Sequence, residues 1–107
     1  MALLTQAPKG TQDLLPSESA KWRTVEQVMR SEAAVHGFGE VRTPVFEHTE
    51  LFLRSVGDTT DVVEKQMYTF NDKGGRSVTL RPEGTASAVR AMLENGLYNG
   101  GYPVKLY

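Results

Sequence analysis

Residues 66–81, Gln66-Met-Tyr-Thr-Phe-Asn-Asp-Lys-Gly-Gly-Arg-Ser-Val-Thr-Leu-Arg81, carry the pattern that decides the fold of this chain. Residues 66–70 and 77–81 are rich in β-branched and aromatic side chains, which favour strands. The stretch 71–76 between them consists largely of turn-forming Asn, Asp and Gly. Two such runs joined by these residues are typical of an antiparallel hairpin. The sequence therefore predicts two paired strands here.

Helices are predicted on both sides of this hairpin. Downstream, Pro82 ends the second strand and a helix follows to about Asn95, because apolar residues recur there at steps of three and four. Upstream, Ser17 is in position to cap a helix of about five turns that Gly37 ends. A shorter helix is predicted over residues 49–55. The apolar stripe of the long helix comprises Trp22, Val25, Val28, Met29 and Ala33.

Two further short strands are predicted, one around Val41 and one over residues 104–107. Pro44 has no N–H to donate to a sheet, so the first of these strands should lie at an edge or leave the sheet at that point. A long helix followed by mostly antiparallel strands and a second helix indicates an α+β fold.

Composition sets limits on the class of protein. The 107 residues predict a single small domain or a piece of a larger one, and exclude two separate cores. Twelve Lys and Arg against thirteen Asp and Glu give a net charge of −1, which provides no general attraction for a nucleic acid backbone. Cysteine is absent, which excludes disulfides and Cys-ligated metal sites. The sequence also lacks a signal peptide pattern and an apolar run of the roughly 20 residues that span a membrane, so a cytoplasmic protein is expected.

The segment Leu80-Arg-Pro-Glu-Gly-Thr85 is the best candidate for a binding site. It places the carboxylate of Glu83 and the hydroxyl of Thr85 between the end of a strand and the start of a helix, with Gly84 allowing close approach of the backbone. A carboxylate in this position suits an ammonium ligand. The alternative is purely structural: Glu83 interacts with the helix dipole and Thr85 caps the helix. Residue types alone leave both interpretations open.

Other groups that carry chemistry have weaker patterns. His36 and His48 are candidates for acid–base roles, but they stand at a predicted helix end and in a predicted loop. Asp58, Asp61 and Glu64 lack the glycine and terminal glutamate of a calcium-binding loop, so no metal site is predicted. The tyrosines near Lys105 fit a nucleic-acid stacking surface and an ordinary mixture of core and surface aromatic residues equally well. These tyrosines are Tyr98, Tyr102 and Tyr107.

Four segments of the chain resemble the amino-terminal part of the histidyl-tRNA synthetase family, a group of class II aminoacyl-tRNA synthetases. Lys9-Gly-Thr-Gln-Asp-Leu-Leu-Pro16 resembles the start of the family, and Gly37-Phe-Gly-Glu-Val-Arg-Thr-Pro-Val-Phe46 resembles its motif 1. Thr60-Asp-Val-Val-Glu-Lys-Gln-Met-Tyr-Thr-Phe70 and Thr79-Leu-Arg-Pro-Glu-Gly-Thr-Ala86 resemble segments specific to the histidine enzyme. The resemblance covers nearly the whole chain.

This resemblance implies a fold and an assembly. Residues 1–107 are expected to be the N-terminal part of a class II catalytic domain, containing motif 1 and the histidine-binding loop and ending before the arginine of motif 2. Motif 1 builds the homodimer interface in this family. The resemblance therefore implies a homodimer whose interface includes Gly37, Phe38 and Pro44.

The resemblance also implies a substrate site. Glu83 is expected to accept a hydrogen bond from the α-ammonium group of histidine, with Thr85 as a neighbouring hydrogen-bond partner and Gly84 providing clearance. In the family reaction, histidine and ATP form histidyl-adenylate with the help of Mg²⁺, and the histidyl group then passes to tRNA(His). The cationic residues of that site are expected beyond residue 107. We therefore expect no catalytic residue, metal ligand or bound cofactor in this chain, and no adenylate formation by the chain alone.

Two other functions remain open at this stage. The first is a synthetase-like regulatory subunit of ATP phosphoribosyltransferase, which binds histidine or a partner enzyme without charging tRNA. That group tends to have Arg-Pro-Asp where this chain has Arg81-Pro82-Glu83, so the synthetase is favoured. The second is a module that serves only for dimerisation and folding.

Overall fold

The computed structural model of the chain describes residues 4–56, 66–101 and 103–107. It divides into two compact units, Met1–Gly37 and Phe38–Tyr107. The first unit contains helix α1 (Pro16–Val35). The second contains β1 (Phe46–His48), α2 (Thr49–Val56), β2 (Thr69–Asn71), β3 (Ser77–Leu80), α3 (Thr85–Glu94) and a 3₁₀ helix (Leu97–Gly100). A long helix, an antiparallel sheet and further helices confirm the predicted α+β fold.

Helix α1 begins two residues earlier than the sequence pattern predicted. Its N-cap is Leu15, which makes no side-chain capping hydrogen bond, and Pro16 follows it at the first helical position. The predicted Ser17 cap is therefore wrong. Proline has a fixed φ that suits the first turn, and the N–H it lacks would have no partner inside the helix. At the other end, Gly37 adopts a φ of 79° directly after the C-cap His36, so the predicted end of the helix is confirmed.

The core lies in the second unit. Among the described residues, the buried apolar side chains are Phe52, Val78 and Ala91. Helix α2 carries Phe52 and packs against α3, β1 and β3, which accounts for the complete burial of this ring. Helix α1 has no buried residue, and Trp22 on its apolar stripe is 56% exposed. The predicted stripe is therefore an exposed face of the first unit.

The predicted hairpin is confirmed. Strands β2 and β3 pair antiparallel, with Thr69 opposite Thr79, and β1 pairs antiparallel with the other edge of β3. Strand β2 is shorter than predicted. In the turn, one carboxylate oxygen of Asp72 accepts hydrogen bonds from the backbone N–H groups of Gly74 and Arg76, both at 2.9 Å. Gly75 has a φ of 81°, a conformation that side chains disfavour.

The strand predicted around Val41 is an isolated parallel contact. Gly39 pairs with Leu106, and the N–H of Val41 donates to the carbonyl of Tyr107 at 2.9 Å. The two short strands predicted from sequence thus pair with each other in parallel, and the strand that joins the antiparallel sheet is β1. The sequence pattern missed β1, because Glu47 and His48 do not favour a strand.

A chain of hydroxyl groups links α2 to the sheet. The Thr49 hydroxyl lies 2.7 Å from that of Ser77 and 2.9 Å from that of Thr79. The Thr79 hydroxyl lies 2.8 Å from that of Thr69 on the neighbouring strand. Since the side chain of Thr79 is completely buried, these partners meet its need for hydrogen bonds. The network fixes the start of α2 over the middle of β3.

Candidate functional site

Glu83 caps helix α3. Its carboxylate accepts a hydrogen bond from the backbone N–H of Thr85 and lies 3.2 and 3.3 Å from the N–H of Ala86. The N-cap itself is Gly84, which has no side chain to satisfy these amides. Glu83 therefore supplies the acceptor from one residue further upstream, where a negative charge also suits the helix dipole. The predicted interaction of Glu83 with the start of the helix is confirmed. The predicted cap at Thr85 is wrong, because Thr85 is the first helical residue.

Two concavities flank this loop within the second unit. The first, of about 840 Å³, includes Arg81, Gly84 and Thr85 in its wall. The second, of about 930 Å³, includes Glu83 and Thr85 and runs between α2 and α3. Thr85 lines both concavities, whereas Glu83 and Gly84 line one each. The other residues that line the first are Val41, Arg42, Thr43, Ala88, Val89, Met92, Val104, Leu106 and Tyr107.

The backbone at Gly84 has ordinary right-handed geometry, with φ −99° and ψ −17°. A Cβ built at this position meets no described heavy atom within 4 Å. The fold of this chain therefore does not require glycine here. A reason for glycine at this position is still given by the prediction that it provides clearance for a ligand.

Arg81 contributes three hydrogen bonds that the sequence interpretation missed. Its backbone N–H donates to the carbonyl of Val45 at 2.9 Å. Its guanidinium Nη1 lies 3.2 Å from the carbonyl oxygen and 3.3 Å from the hydroxyl of Thr43. These bonds connect the loop that carries Glu83 to the segment before β1. Both connections lie beyond the last pair of the β1–β3 ladder, Phe46 with Leu80.

A second missed contact anchors α3 to the sheet. Glu47 on β1 is only 8% exposed, and its Oε2 accepts from Nε of Arg90 at 2.7 Å. Arg90 also donates from Nη1 to Glu94 at 2.6 Å. The hydrogen bond with Glu47 raises the pKa of the Arg90 guanidinium above its ordinary value, with a smaller contribution from Glu94. The charge on Arg90 thus offsets the cost of burying the Glu47 carboxylate.

The residues predicted at a dimer interface belong to both compact units. Gly37 ends α1 in the first unit, and Phe38 begins the second. The Phe38 ring faces Nζ of Lys105 at 5.7 Å, a cation–π distance. Pro44 is exposed. No contact described here tests their role in an interface, so that role stays a prediction.

The two histidines considered from sequence belong to elements other than the Glu83 loop. His36 is the C-cap of α1 and lies 3.6 Å from Glu32. His48 ends β1 and lines neither of the two concavities. The sequence range 58–64, with its three acidic residues, lies outside the described residues, as does Tyr102. Within the ranges that the structure describes, no group of three metal-ligating side chains occurs.

Tyr98 and Tyr107 are about half exposed and occupy different segments, the 3₁₀ helix and the last residues of the chain. No helix of the described segments is both long and apolar enough to cross a membrane.

Comparison with known proteins places these features in a family. The family model described as histidyl-tRNA synthetase matches residues 10–102. Over 105 residues, the chain is 65% identical to the histidine–tRNA ligase of Pelotomaculum thermopropionicum, which covers 98% of the chain and 25% of the relative. The histidine–tRNA ligase of Geobacillus thermodenitrificans is 65% identical over 103 residues, covering 95% of the chain and 24% of the relative. The chain thus spans about a quarter of the length of the curated relatives that it matches.

Solved structures agree with the sequence comparison. The crystal structure of apo S. aureus histidyl-tRNA synthetase matches with a TM-score of 0.81 and 44% identity, covering 96% of the chain and 24% of that protein. A Bacillus halodurans C structure, described as an ATP phosphoribosyltransferase regulatory subunit/histidyl-tRNA synthetase, matches with a TM-score of 0.77 and 25% identity. It covers 99% of the chain and 27% of that protein. The chain belongs to the histidyl-tRNA synthetase family.

Proposed function

We propose that this chain provides the α-amino recognition loop of a histidine–tRNA ligase. The ligase would join the carboxylate of histidine to the α-phosphate of ATP with release of pyrophosphate. It would then transfer the histidyl group to the terminal hydroxyl of tRNA(His) with release of AMP. The main support is the 65% identity to histidine–tRNA ligases over 98% of the chain. The assembly would be a class II homodimer working in protein synthesis in the cytoplasm.

The geometry of Glu83 supports its role as the acceptor for the substrate ammonium. A carboxylate has about four lone-pair directions, and the two backbone amides of α3 engage only part of them. These amides also restrict the side chain, so little conformational entropy is lost when a ligand binds. A charge-assisted contact with an ammonium group contributes roughly 1.5 to 3 kcal/mol. The hydroxyl of Thr85, beside both concavities, would be the second hydrogen-bond partner.

ATP and Mg²⁺ belong to this proposal as reactants of the complete enzyme. Mg²⁺ prefers carboxylate oxygens and water, and it neutralises charge on the phosphates. The described residues contain no cluster of three acidic or histidine side chains. The proposal assigns none of the described residues to the metal ion.

A chimaera tests the proposal. The matching 105 residues of the Pelotomaculum thermopropionicum ligase are replaced by this chain, and histidine-dependent exchange between ATP and pyrophosphate is measured. We expect exchange close to that of the unmodified relative. A chimaera that folds, as judged by circular dichroism, but gives no exchange would contradict the proposed function.

The Glu83→Gln variant of the chimaera tests the site. Losing the charge should raise the KM for histidine by about tenfold, which corresponds to roughly 1.4 kcal/mol. Glu50→Gln is the matched control, because Glu50 is an exposed glutamate in the first turn of another helix, α2. Equal KM values in the two variants would show that Glu83 does not contact histidine.

The regulatory-subunit alternative has one observation in its favour, the structural match at 25% identity to the Bacillus halodurans C protein. The match to S. aureus histidyl-tRNA synthetase, at 44% identity, favours the ligase. A regulatory subunit would bind histidine without supporting exchange. The chimaera therefore distinguishes the two functions when histidine binding is measured beside exchange.

A further inference from the structure

The antiparallel pairing of β1 with β3 ends at Phe46 and Leu80. Continuing this register by one pair places Val45 opposite Arg81, where the hydrogen bond from the Arg81 N–H to the Val45 carbonyl is present. This bond therefore lies just beyond the end of both strands.

The guanidinium of Arg81 reaches further along the segment before β1. Beyond Pro44, its Nη1 contacts the carbonyl and the hydroxyl of Thr43. One residue therefore supplies the last backbone bond of the ladder and a side-chain bond beyond it. Arg81 also directly precedes the Pro82–Thr85 loop and lines the same 840 Å³ concavity as Gly84, Thr85 and Thr43.

From this arrangement we propose that Arg81 is a positioning residue for the Glu83 loop. It ties the loop to the Thr43–Val45 segment beyond the last strand pair, and so fixes the position of Glu83 and Thr85 relative to the concavity. The proposal rests on the proposed function, because it names a further residue of the same histidine site. Arg81 acts through its neighbours and is not assigned a contact with the substrate.

The test uses Arg81→Met, Arg81→Lys and Arg76→Met in the chimaera. Arg76 is the matched control because it is an exposed arginine bound to Asp72 in the hairpin turn and lines neither concavity beside the loop. Arg81→Met should raise the KM for histidine about tenfold with kcat changed less than about twofold, the pattern expected when histidine binds less tightly in the ground state and the transition state alike. Arg81→Lys, which keeps the charge and one donor direction, should give an intermediate KM. Arg76→Met should leave KM unchanged.

Thermal melting separates positioning from general stability. If Arg81→Met lowers the melting temperature but leaves the KM for histidine within about twofold of the unsubstituted chimaera, the proposal is wrong. A KM that rises equally in Arg76→Met also overturns it. If Arg81→Met does not fold, the KM for histidine of Arg81→Lys is compared with that of Arg76→Met instead.

A second measurement keeps this inference separate from the proposed function. If Glu83→Gln has no effect on the KM for histidine, the proposed histidine site is wrong. The positioning role of Arg81 is then tested in the 107-residue chain without the rest of the ligase. Amide hydrogen exchange of Thr85 and Ala86 should be at least about tenfold faster in Arg81→Met than in Arg76→Met. Equal exchange rates overturn the positioning role.

Discussion

Nε of Arg90 on helix α3 donates to Oε2 of Glu47 on strand β1 at 2.7 Å, across 43 residues of sequence. The Glu47 carboxylate is nearly inaccessible to solvent, whereas the Arg90 side chain is 28% exposed at the surface. The pair fixes α3, and with it the loop that carries Glu83, on the sheet. It also makes α3 sensitive to the loss of a single charge.

Replacing Arg90 by methionine should destabilise the chain by about 2 to 4 kcal/mol, because the buried Glu47 carboxylate loses its partner. Urea unfolding near neutral pH, followed by circular dichroism, measures this loss. The control is Arg76→Met, which removes an exposed pair with Asp72 and should cost less than about 1 kcal/mol. Equal losses would mean that the Glu47 pair contributes no more than a surface ion pair.

The hydroxyl network makes a different prediction. Thr79→Val keeps the shape of a completely buried side chain but removes the hydroxyl that both Thr49 and Thr69 contact. We expect a loss of about 1 to 3 kcal/mol in the free energy of unfolding, because two partner hydroxyls lose a hydrogen bond. Ser77→Ala, at the exposed end of the same network, should cost about 1 kcal/mol or less. A valine variant as stable as the unsubstituted chain would contradict the importance of the network.

The Asp72 turn predicts a dependence of stability on pH. The backbone hydrogen bond from Arg76 is the main cause that lowers the pKa of Asp72 below its ordinary value of 3.8. A carboxyl group whose pKa is depressed in the folded state stabilises the fold above the unfolded-state pKa. This contribution disappears as the pH falls through the folded-state pKa.

Asp72→Asn should therefore flatten the fall in melting temperature on acidification below pH 3.8. Melting curves recorded from neutral to acid pH measure the slope. Asp13→Asn is the control, since Asp13 is an exposed aspartate in the other compact unit. If both variants follow the unsubstituted chain, the turn does not contribute to acid sensitivity.

Gly84→Ala separates folding from ligand binding. A Cβ at this position meets open space, so the chain should fold with a loss of only about 0.5 to 2 kcal/mol, the difference between glycine and alanine at an N-cap. In the chimaera, the added methyl group should raise the KM for histidine by at least about tenfold if the glycine provides clearance. An unchanged KM would remove Gly84 from the site.

Local patterns predicted the local parts of this fold. Asn71, Asp72 and two glycines specify the hairpin turn, and helical spacing of apolar residues predicts α3 correctly to within a residue at its C-terminus. The Glu83 cap was also accessible from sequence, because a carboxylate before a helix has a small set of partners.

Contacts between distant residues were not accessible in the same way. The parallel pairing of Gly39 with Leu106 and the bond from Arg81 to Thr43 depend on how separate segments meet, and no local spacing encodes them. Strand β1 was missed for a related reason. Its Glu47 is polar in the sequence yet buried in the fold, because Arg90 on a distant helix provides the partner.

The contacts of Arg81 join two parts of the chain that are far apart in sequence. Its guanidinium reaches Thr43 across 38 residues. A displacement of the segment before β1 would therefore also displace the residue that directly precedes the Pro82–Thr85 loop.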